Sequence, residues 1–171
     1  MKSAYSLILA LICFALGVLP AEADREEKIL PRDFDTAATL DQALTLAKAK
    51  NKAVILYYTR DRCPPCNMLQ SRLRRESVAA PYRDGYVFTA VWGNRMDRDE
   101  RAYYRDRYDA FLAPSWVVFT SGGEYVCTSL GGFTSDKGGK RLHEAIQLRL
   151  GMSLHAEDPD ARDCMTPGKV N

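Results

Sequence analysis

Two cysteines three residues apart, Cys63 and Cys66, are the residues best placed to do chemistry, and they enclose Pro64 and Pro65. Residues i and i+3 on the first turn of a helix are neighbours, so the two sulfur atoms lie within reach of a disulfide bond. A thiolate attacks a disulfide, and a second nearby thiol releases the mixed disulfide that forms. The spacing therefore predicts thiol–disulfide exchange, with Cys63 attacking and Cys66, expected to be the less exposed, resolving.

The surroundings of Cys63 favour its thiolate form. It follows an apolar run, residues 53–59, that has the composition of a buried strand. A helix is predicted to begin at the cysteine pair, so the sulfur of Cys63 should face unpaired amides and the positive end of the helix dipole. Arg60 and Arg62 add positive charge, which Asp61 partly offsets. We therefore expect the pKa of Cys63 to be lowered.

Other uses of this pair stay open: a static disulfide in a docking module, or copper held on the two thiolates of a metallochaperone. A larger metal centre is disfavoured because His143 and His155 are distant in sequence and no second Cys-x-x-Cys exists. Asn67 follows Cys66, so the haem-attachment pattern Cys-x-x-Cys-His is absent. We expect no metal and no bound cofactor.

The elements that must position the pair follow from hydrophobic periodicity. In order, the predicted elements are helix 36–52, strand 53–59, a helix from the cysteines to Leu73, strand 86–91, helix 97–108, strand 115–120, strand 124–129 and helix 135–150. Met68 is expected to face the core, and Pro81 and Gly85 to break the chain. This order predicts an α/β fold with a central mixed sheet of four to five strands and helices on both faces.

The chain ends indicate export. Lys2, the apolar run 7–19 and the small residues around Ala23 form a signal-peptide pattern, predicted to be residues 1–23. The run is short for a membrane span, which takes roughly 20 residues, so an uncleaved anchor is the less favoured alternative. After the signal peptide, the sequence predicts an N-terminal leader (24–35), a single domain (36–150) and a polar C-terminal tail (151–171). We expect a periplasmic or secreted protein.

Two further cysteines, Cys127 and Cys164, lie on a predicted strand and in the tail. They either form a structural disulfide, remain two independent thiols, or leave Cys164 to exchange with the active site. The net charge of +2 indicates no nucleic-acid partner. Arg72, Arg74 and Arg75 are expected to form a solvated basic cluster. Tyr103, Tyr104 and Tyr108 are expected to form a packing face on their helix. His143 is expected to lie at the surface.

Two segments resemble the thioredoxin family. Residues 53–73 are similar to its strand, Cys-x-x-Cys and helix, and residues 113–119 to the segment in which a cis-proline opens the next strand. The resemblance covers about residues 36–150 and extends to exported thioredoxin-like domains, including the C-terminal domain of DsbD-type reductases. It implies that Pro114 is cis and packs against the disulfide, and that Ala113 offers its backbone to an extended substrate.

Three departures from the family pattern surround the cysteines. Tyr57 occupies the position of a buried acid that assists proton transfer, Arg62 replaces a tryptophan, and Pro64 replaces a glycine. The resolving step at Cys66 is then left to water, Asp61 or Tyr57. These departures favour a dedicated partner over the general activity of a thioredoxin.

We therefore expect an exported, monomeric thiol–disulfide oxidoreductase that acts on cysteines of other exported proteins, most simply as a reductase. A redox partner protein must reset its cysteines. Net oxidation or isomerisation is the alternative, because direction depends on the relative potentials of the two partners.

Overall fold

The computed structural model describes residues 30–152 and 162–165. The predicted signal peptide, half of the predicted leader and most of the predicted tail lie outside these residues, as does His155. Within the described ranges, no helix combines the length and apolar character needed to cross a membrane.

A five-stranded sheet forms the centre of the fold, with the strand order β1-β3-β2-β4-β5. The strands are β1 Asp35–Thr36, β2 Ala53–Thr59, β3 Tyr86–Trp92, β4 Ser115–Phe119 and β5 Tyr125–Leu130. Strands β1 and β2 run parallel to β3, whereas β4 is antiparallel to β2 and β5 is antiparallel to β4. The prediction of a mixed α/β sheet is confirmed.

Five helices cover the two faces of this sheet. They are α1 Leu40–Lys50, α2 Pro64–Leu73, α3 Glu76–Gly85, α4 Arg98–Tyr108 and α5 Asp136–Met152. Helices α2, α3 and α5 contribute to the hydrophobic cluster on the face that carries Tyr57 and Trp116. Helices α1 and α4 contribute to the cluster on the face that carries Tyr58. Every residue of β2 is buried, as its continuous apolar run predicts for a strand covered on both faces.

The first helix begins later than predicted. It starts at Leu40, because Thr39 caps it by accepting a hydrogen bond from the amide of Gln42 at 3.3 Å. Thr36 belongs instead to β1, beside β3. Phe34 is also buried, with its ring centroid 5.3 Å from that of Phe88. Packing therefore begins before the predicted boundary at residue 36.

Helix α3 was not predicted, because Pro81 was expected to break the chain; this prediction is wrong. Proline within a helix costs about 3 kcal/mol. Here Val78 and Tyr82 are fully buried on either side of Pro81, and each large buried side chain contributes about 1.5–3 kcal/mol. Tyr82 also donates a hydrogen bond to the carbonyl of Gly139 at 2.7 Å. Tertiary packing thus outweighs the local preference of proline.

The tail is bonded to the sheet through Cys164, which forms a disulfide with Cys127 of β5. The amide of Thr128 donates a hydrogen bond to the carbonyl of Arg162 at 2.6 Å. The amide of Cys164 donates a hydrogen bond to the carbonyl of Thr128 at 3.0 Å. Arg149, a buried residue of α5, donates to the carbonyl of Cys164 and to that of the residue before it. Of the three sequence-based alternatives for these cysteines, the structure contains the paired one.

Candidate active site

Cys63 and Cys66 form a disulfide at the N-terminus of α2, with their Cα atoms 5.2 Å apart. Cys63 is the N-cap residue, and its Sγ accepts a hydrogen bond from the amide of Cys66 at 3.2 Å. Pro64 and Pro65 occupy the first two helical positions, where a missing N–H leaves no intrahelical hydrogen bond unmade. Because neither proline can donate, the Cys66 amide is the first donor of the helix available to this sulfur.

The two cysteines are equally buried in the disulfide form, each 2% exposed. The expectation that Cys66 is the less exposed is therefore wrong for this form. Both residues belong to the core beneath α2, together with Leu69 and Leu73. Met68, expected to face the core, is instead 50% exposed on the outer side of the helix.

The loop before Cys63 is held by Asp61, whose carboxylate binds Arg95 through two hydrogen bonds of 2.7 and 3.1 Å. The side chain of Asn94 donates to the same carboxylate at 3.0 Å and accepts the Asp61 amide at 2.9 Å. Asp61 therefore anchors the loop. Arg60 and Arg62 are exposed beside the cysteines, and Arg62 has a left-handed backbone with a φ of 53°.

Tyr57 lies on β2, at the position where the sequence resemblance to thioredoxins implies a buried acid. It is 1% exposed, and its hydroxyl has no hydrogen-bond partner within the described part of the chain. Burial raises the pKa of Tyr57 to about 12, although the nearby polar side chains of Thr59 and Gln70 oppose this shift. The hydroxyl thus keeps its proton at neutral pH, so it can donate a hydrogen bond but cannot serve as a base.

The Ala113–Pro114 peptide bond is cis, as the resemblance implies. The carbonyl oxygen of Ala113 lies 3.7 Å from the Sγ of Cys63, and Pro114 is buried. The carbonyl of Pro114 accepts the amide of Gly131 at 2.8 Å, and the hydroxyl of Ser115 donates to the carbonyl of Leu112. Hydrogen bonds on both sides therefore hold this loop against the disulfide.

A cavity of about 500 Å³ opens beside Ala113, at a place that no sequence motif predicted. Its walls include Tyr58, Arg60, Gly93, Arg101, Phe111 and Leu112. Phe111 and Leu112 are about half exposed, at 51% and 52%. Phe111 and Leu112, two adjacent apolar residues in the loop before Ala113-Pro114, are the sequence feature that could have indicated this cavity.

Other residues singled out in the sequence lie away from the disulfide. Arg72 and Arg75 of the basic cluster bind Asp136 at the start of α5, at 3.3 and 3.1 Å. His143, expected at the surface, is half-buried and packs edge-on against Tyr82 and Tyr86. Burial lowers the pKa of His143. The described ranges contain no group of three or more histidine, cysteine or acidic residues able to hold a metal ion.

The two tryptophans and the tyrosines of α4 differ in how deeply they are buried. Trp116 is fully buried, whereas Trp92 is partly exposed beneath the guanidinium of Arg95. In α4, Tyr104 and Tyr108 pack on the sheet, and Tyr103 is 55% exposed. Helix α4 thus presents part of its predicted aromatic face to the core.

No protein-family model matches the sequence, and no curated protein matches it. Among solved structures, the chain is similar to a thioredoxin from Thermus thermophilus, with 18% identity and a TM-score of 0.56, over 71% of this chain and 92% of that one. A disulphide isomerase from Xylella fastidiosa Temecula1 has 21% identity and a TM-score of 0.49, over 67% and 88% of the two chains. A thioredoxin from Fasciola hepatica has 16% identity and a TM-score of 0.45, over 68% and 99%.

The likeness to the Thermus thioredoxin concerns the fold, and it agrees with a central mixed sheet covered by helices on both faces. A disulfide of this spacing at a helix N-terminus is suited to exchange with other thiols. The chain therefore has the thioredoxin fold, with the Cys63–Cys66 disulfide at the start of the helix that follows a central strand.

Proposed function

We propose that this protein is an exported thiol–disulfide oxidoreductase that reduces disulfides in other exported proteins. The observation that carries the proposal is the Cys63–Cys66 disulfide at the N-terminus of α2, where the Sγ of Cys63 already accepts the Cys66 amide. An amide donor and the helix dipole stabilise a negative sulfur at that position once the disulfide is reduced. Export rests on the signal-peptide pattern of residues 1–23.

The exchange proceeds in two steps that conserve sulfur bonds. The thiolate of Cys63 attacks one sulfur of the substrate disulfide and forms a bond to it. The substrate S–S bond breaks, and the other substrate sulfur leaves as a thiolate that takes a proton from water. The thiol of Cys66 then loses its proton and attacks the Sγ of Cys63, which releases the substrate sulfur bonded to Cys63. The substrate gains two electrons, and the protein ends with the Cys63–Cys66 disulfide.

The proton of Cys66 passes to water or to the departing substrate thiolate. Tyr57 cannot accept it near neutral pH, because its pKa is raised to about 12. Asp61 is bound to Arg95 and Asn94. The resolving step therefore lacks a buried protein base among the residues weighed for that role.

The arrangement of donors supports the reducing direction. A strongly oxidising pair is one whose reduced form is stabilised. In this protein Pro64 and Pro65 remove two amides from the first turn of α2, so the thiolate of Cys63 has fewer donors. Weaker stabilisation of the thiolate favours the disulfide and makes the dithiol a better electron donor. A partner protein must then supply two electrons to restore the dithiol.

Equilibration with glutathione redox buffers tests the direction. We expect a potential for the Cys63–Cys66 couple below about −220 mV, on the reducing side of protein disulfide isomerase at about −180 mV. A Cys66→Ser variant should accumulate mixed disulfides with exported proteins, and a Cys63→Ser/Cys66→Ser variant should accumulate none. A potential near −120 mV would indicate an oxidase. If the Cys63–Cys66 couple does not exchange and no partner is trapped, the protein is a docking module. Stoichiometric copper uptake by the reduced protein would indicate a metallochaperone.

A further inference from the structure

We propose that the cavity beside Ala113 binds an acidic side chain of the substrate, on the same segment as the cysteine that reacts with Cys63. This inference rests on the proposed function and adds a substrate class to it: segments in which a carboxylate and an apolar residue lie close to the disulfide. The residues that carry it are Arg60, Arg101, Phe111 and Leu112.

The cavity and the reacting sulfur share one residue. Ala113 lines the cavity, and its carbonyl oxygen lies 3.7 Å from the Sγ of Cys63. A substrate segment bonded to Cys63 would therefore lie next to a residue that lines the cavity. Side chains within a few residues of the substrate cysteine can reach into it, since an extended chain advances roughly 3.3 Å per residue.

The charge of the cavity favours a carboxylate. Arg60 and Arg101 line it and are exposed, and its described lining contains no acidic residue. Arg101 donates one hydrogen bond to the carbonyl of Met96, which orients the guanidinium and leaves its other N–H groups available. Arginine is well suited to this role because its planar group binds carboxylates through two parallel hydrogen bonds.

Three neighbouring carboxylates, those of Asp61, Asp97 and Glu100, are already bound to groups of the protein. Asp61 binds Arg95 and Asn94. Asp97 and Glu100 form the capping box at the start of α4, where the Asp97 carboxylate accepts the amides of residues 99 and 100 and Glu100 accepts the Asp97 amide. These contacts bind three of the carboxylates near Arg60 and Arg101 in sequence to other groups.

The shape of the cavity favours a protein segment over a small free anion. Phe111 and Leu112 expose about half of their surface beside the two arginines, and an apolar neighbour of the carboxylate would cover them. Another part of the wall depends on Gly93, because a Cβ atom there would lie 2.1 Å from the Tyr58 hydroxyl. The lack of a side chain at residue 93 therefore leaves space for Tyr58 in the cavity wall.

The test compares matched peptide disulfides that carry the same reporter thiol. One series has a glutamate at successive positions around the cysteine, next to a leucine, and the other has glutamine in its place. The reduced protein should cleave the best glutamate peptide about fivefold faster than its glutamine counterpart at low salt. This ratio should approach one at 1 M salt, where the screening length is about 3 Å.

Arg101→Gln should remove most of this preference. Arg62→Gln is the matched control, because Arg62 is next to Cys63 but does not line the cavity. A general effect of positive charge near the sulfur would make Arg62→Gln the more damaging change. The ratio of the two rates, rather than either rate alone, is the readout, since a nearby lost charge also alters the reactivity of Cys63 toward both peptides.

Each outcome decides the proposal. A wild-type ratio near one, or a larger loss with Arg62→Gln than with Arg101→Gln, overturns the cavity assignment and leaves the proposed function intact. Oxidised glutathione is a small anionic disulfide. If Arg101 accelerates its reduction as much as it accelerates cleavage of the glutamate peptide, the cavity is a site for free anions and the proposal is overturned. Cleavage of neither peptide removes the proposed function and this inference together.

Discussion

The two disulfide bonds of this protein lie in different structural surroundings. Cys63–Cys66 closes a loop of sequence separation 3 at a helix N-terminus, whereas Cys127–Cys164 joins a strand to the tail across 37 positions. All four residues are buried, at 2% exposure or less. Burial alone therefore does not separate an exchanging disulfide from a structural one.

The difference lies in what surrounds each sulfur. Cys63 has an amide donor, the end of a helix and a surface cavity next to its neighbour Ala113. Cys127 lies within β5, opposite Val118 of β4. The amide of its partner Cys164 donates to the carbonyl of Thr128, and the amide of Thr128 donates to the carbonyl of Arg162. The first setting stabilises a reactive thiolate, and the second holds two segments together.

The largest expected effect comes from removing the attacking sulfur. Cys63→Ser should reduce peptide-disulfide cleavage to the uncatalysed background, because the attacking sulfur at the N-cap is gone and only the resolving thiol of Cys66 remains. Steady-state cleavage by the reduced protein measures this. The control is Cys127→Ser/Cys164→Ser, which should retain cleavage under conditions where it is folded. Equal loss in both variants would contradict the division of roles.

The next effect is on stability and has the opposite pattern. Cys127→Ala/Cys164→Ala should lower the free energy of unfolding by about 3 kcal/mol, since the disulfide closes a long loop and pins the tail. Denaturant titration measures it. Cys63→Ala/Cys66→Ala should cost clearly less, because a loop of this length restricts the unfolded chain little. A larger cost for the Cys63 and Cys66 variant would reverse the assignment.

The sequence predicted the exchanging region better than the structural one, for physical reasons. The strand, the cysteine turn and the start of α2 are local in sequence, so composition and spacing reveal them. The Cys127–Cys164 pair and the half-buried His143 depend on contacts between distant segments. Helix α3 was missed because the buried Tyr82 outweighs Pro81, a balance that only packing shows.

A smaller effect concerns the amide donors around Cys63. Pro65→Ala restores an N–H at the second position of α2, so the thiolate of Cys63 gains a donor and its pKa should fall by about half a unit. Ultraviolet absorbance of the thiolate against pH, in a Cys66→Ser background, measures the change. An unchanged or higher pKa would show that the prolines do not limit stabilisation of the sulfur.

The smallest effect is expected at Tyr57. Tyr57→Phe removes a buried hydroxyl that lacks a hydrogen-bond partner within the described chain, so stability should not fall. The pKa of Tyr57 is about 12, and the group therefore stays protonated from about pH 6 to 9. The pH profile of peptide cleavage should keep its shape over this range. A profile that loses an ionisation would instead make Tyr57 a proton carrier for the resolving step.

The central claim is that one disulfide exchanges and the other does not. Differential alkylation of the native protein across glutathione redox buffers, read by peptide mass, tests it most directly. We expect Cys63 and Cys66 to become modified together as the buffer turns reducing, while Cys127 and Cys164 remain bonded until the protein is unfolded. Reduction of Cys127–Cys164 first, or of both pairs at the same potential, would contradict the claim.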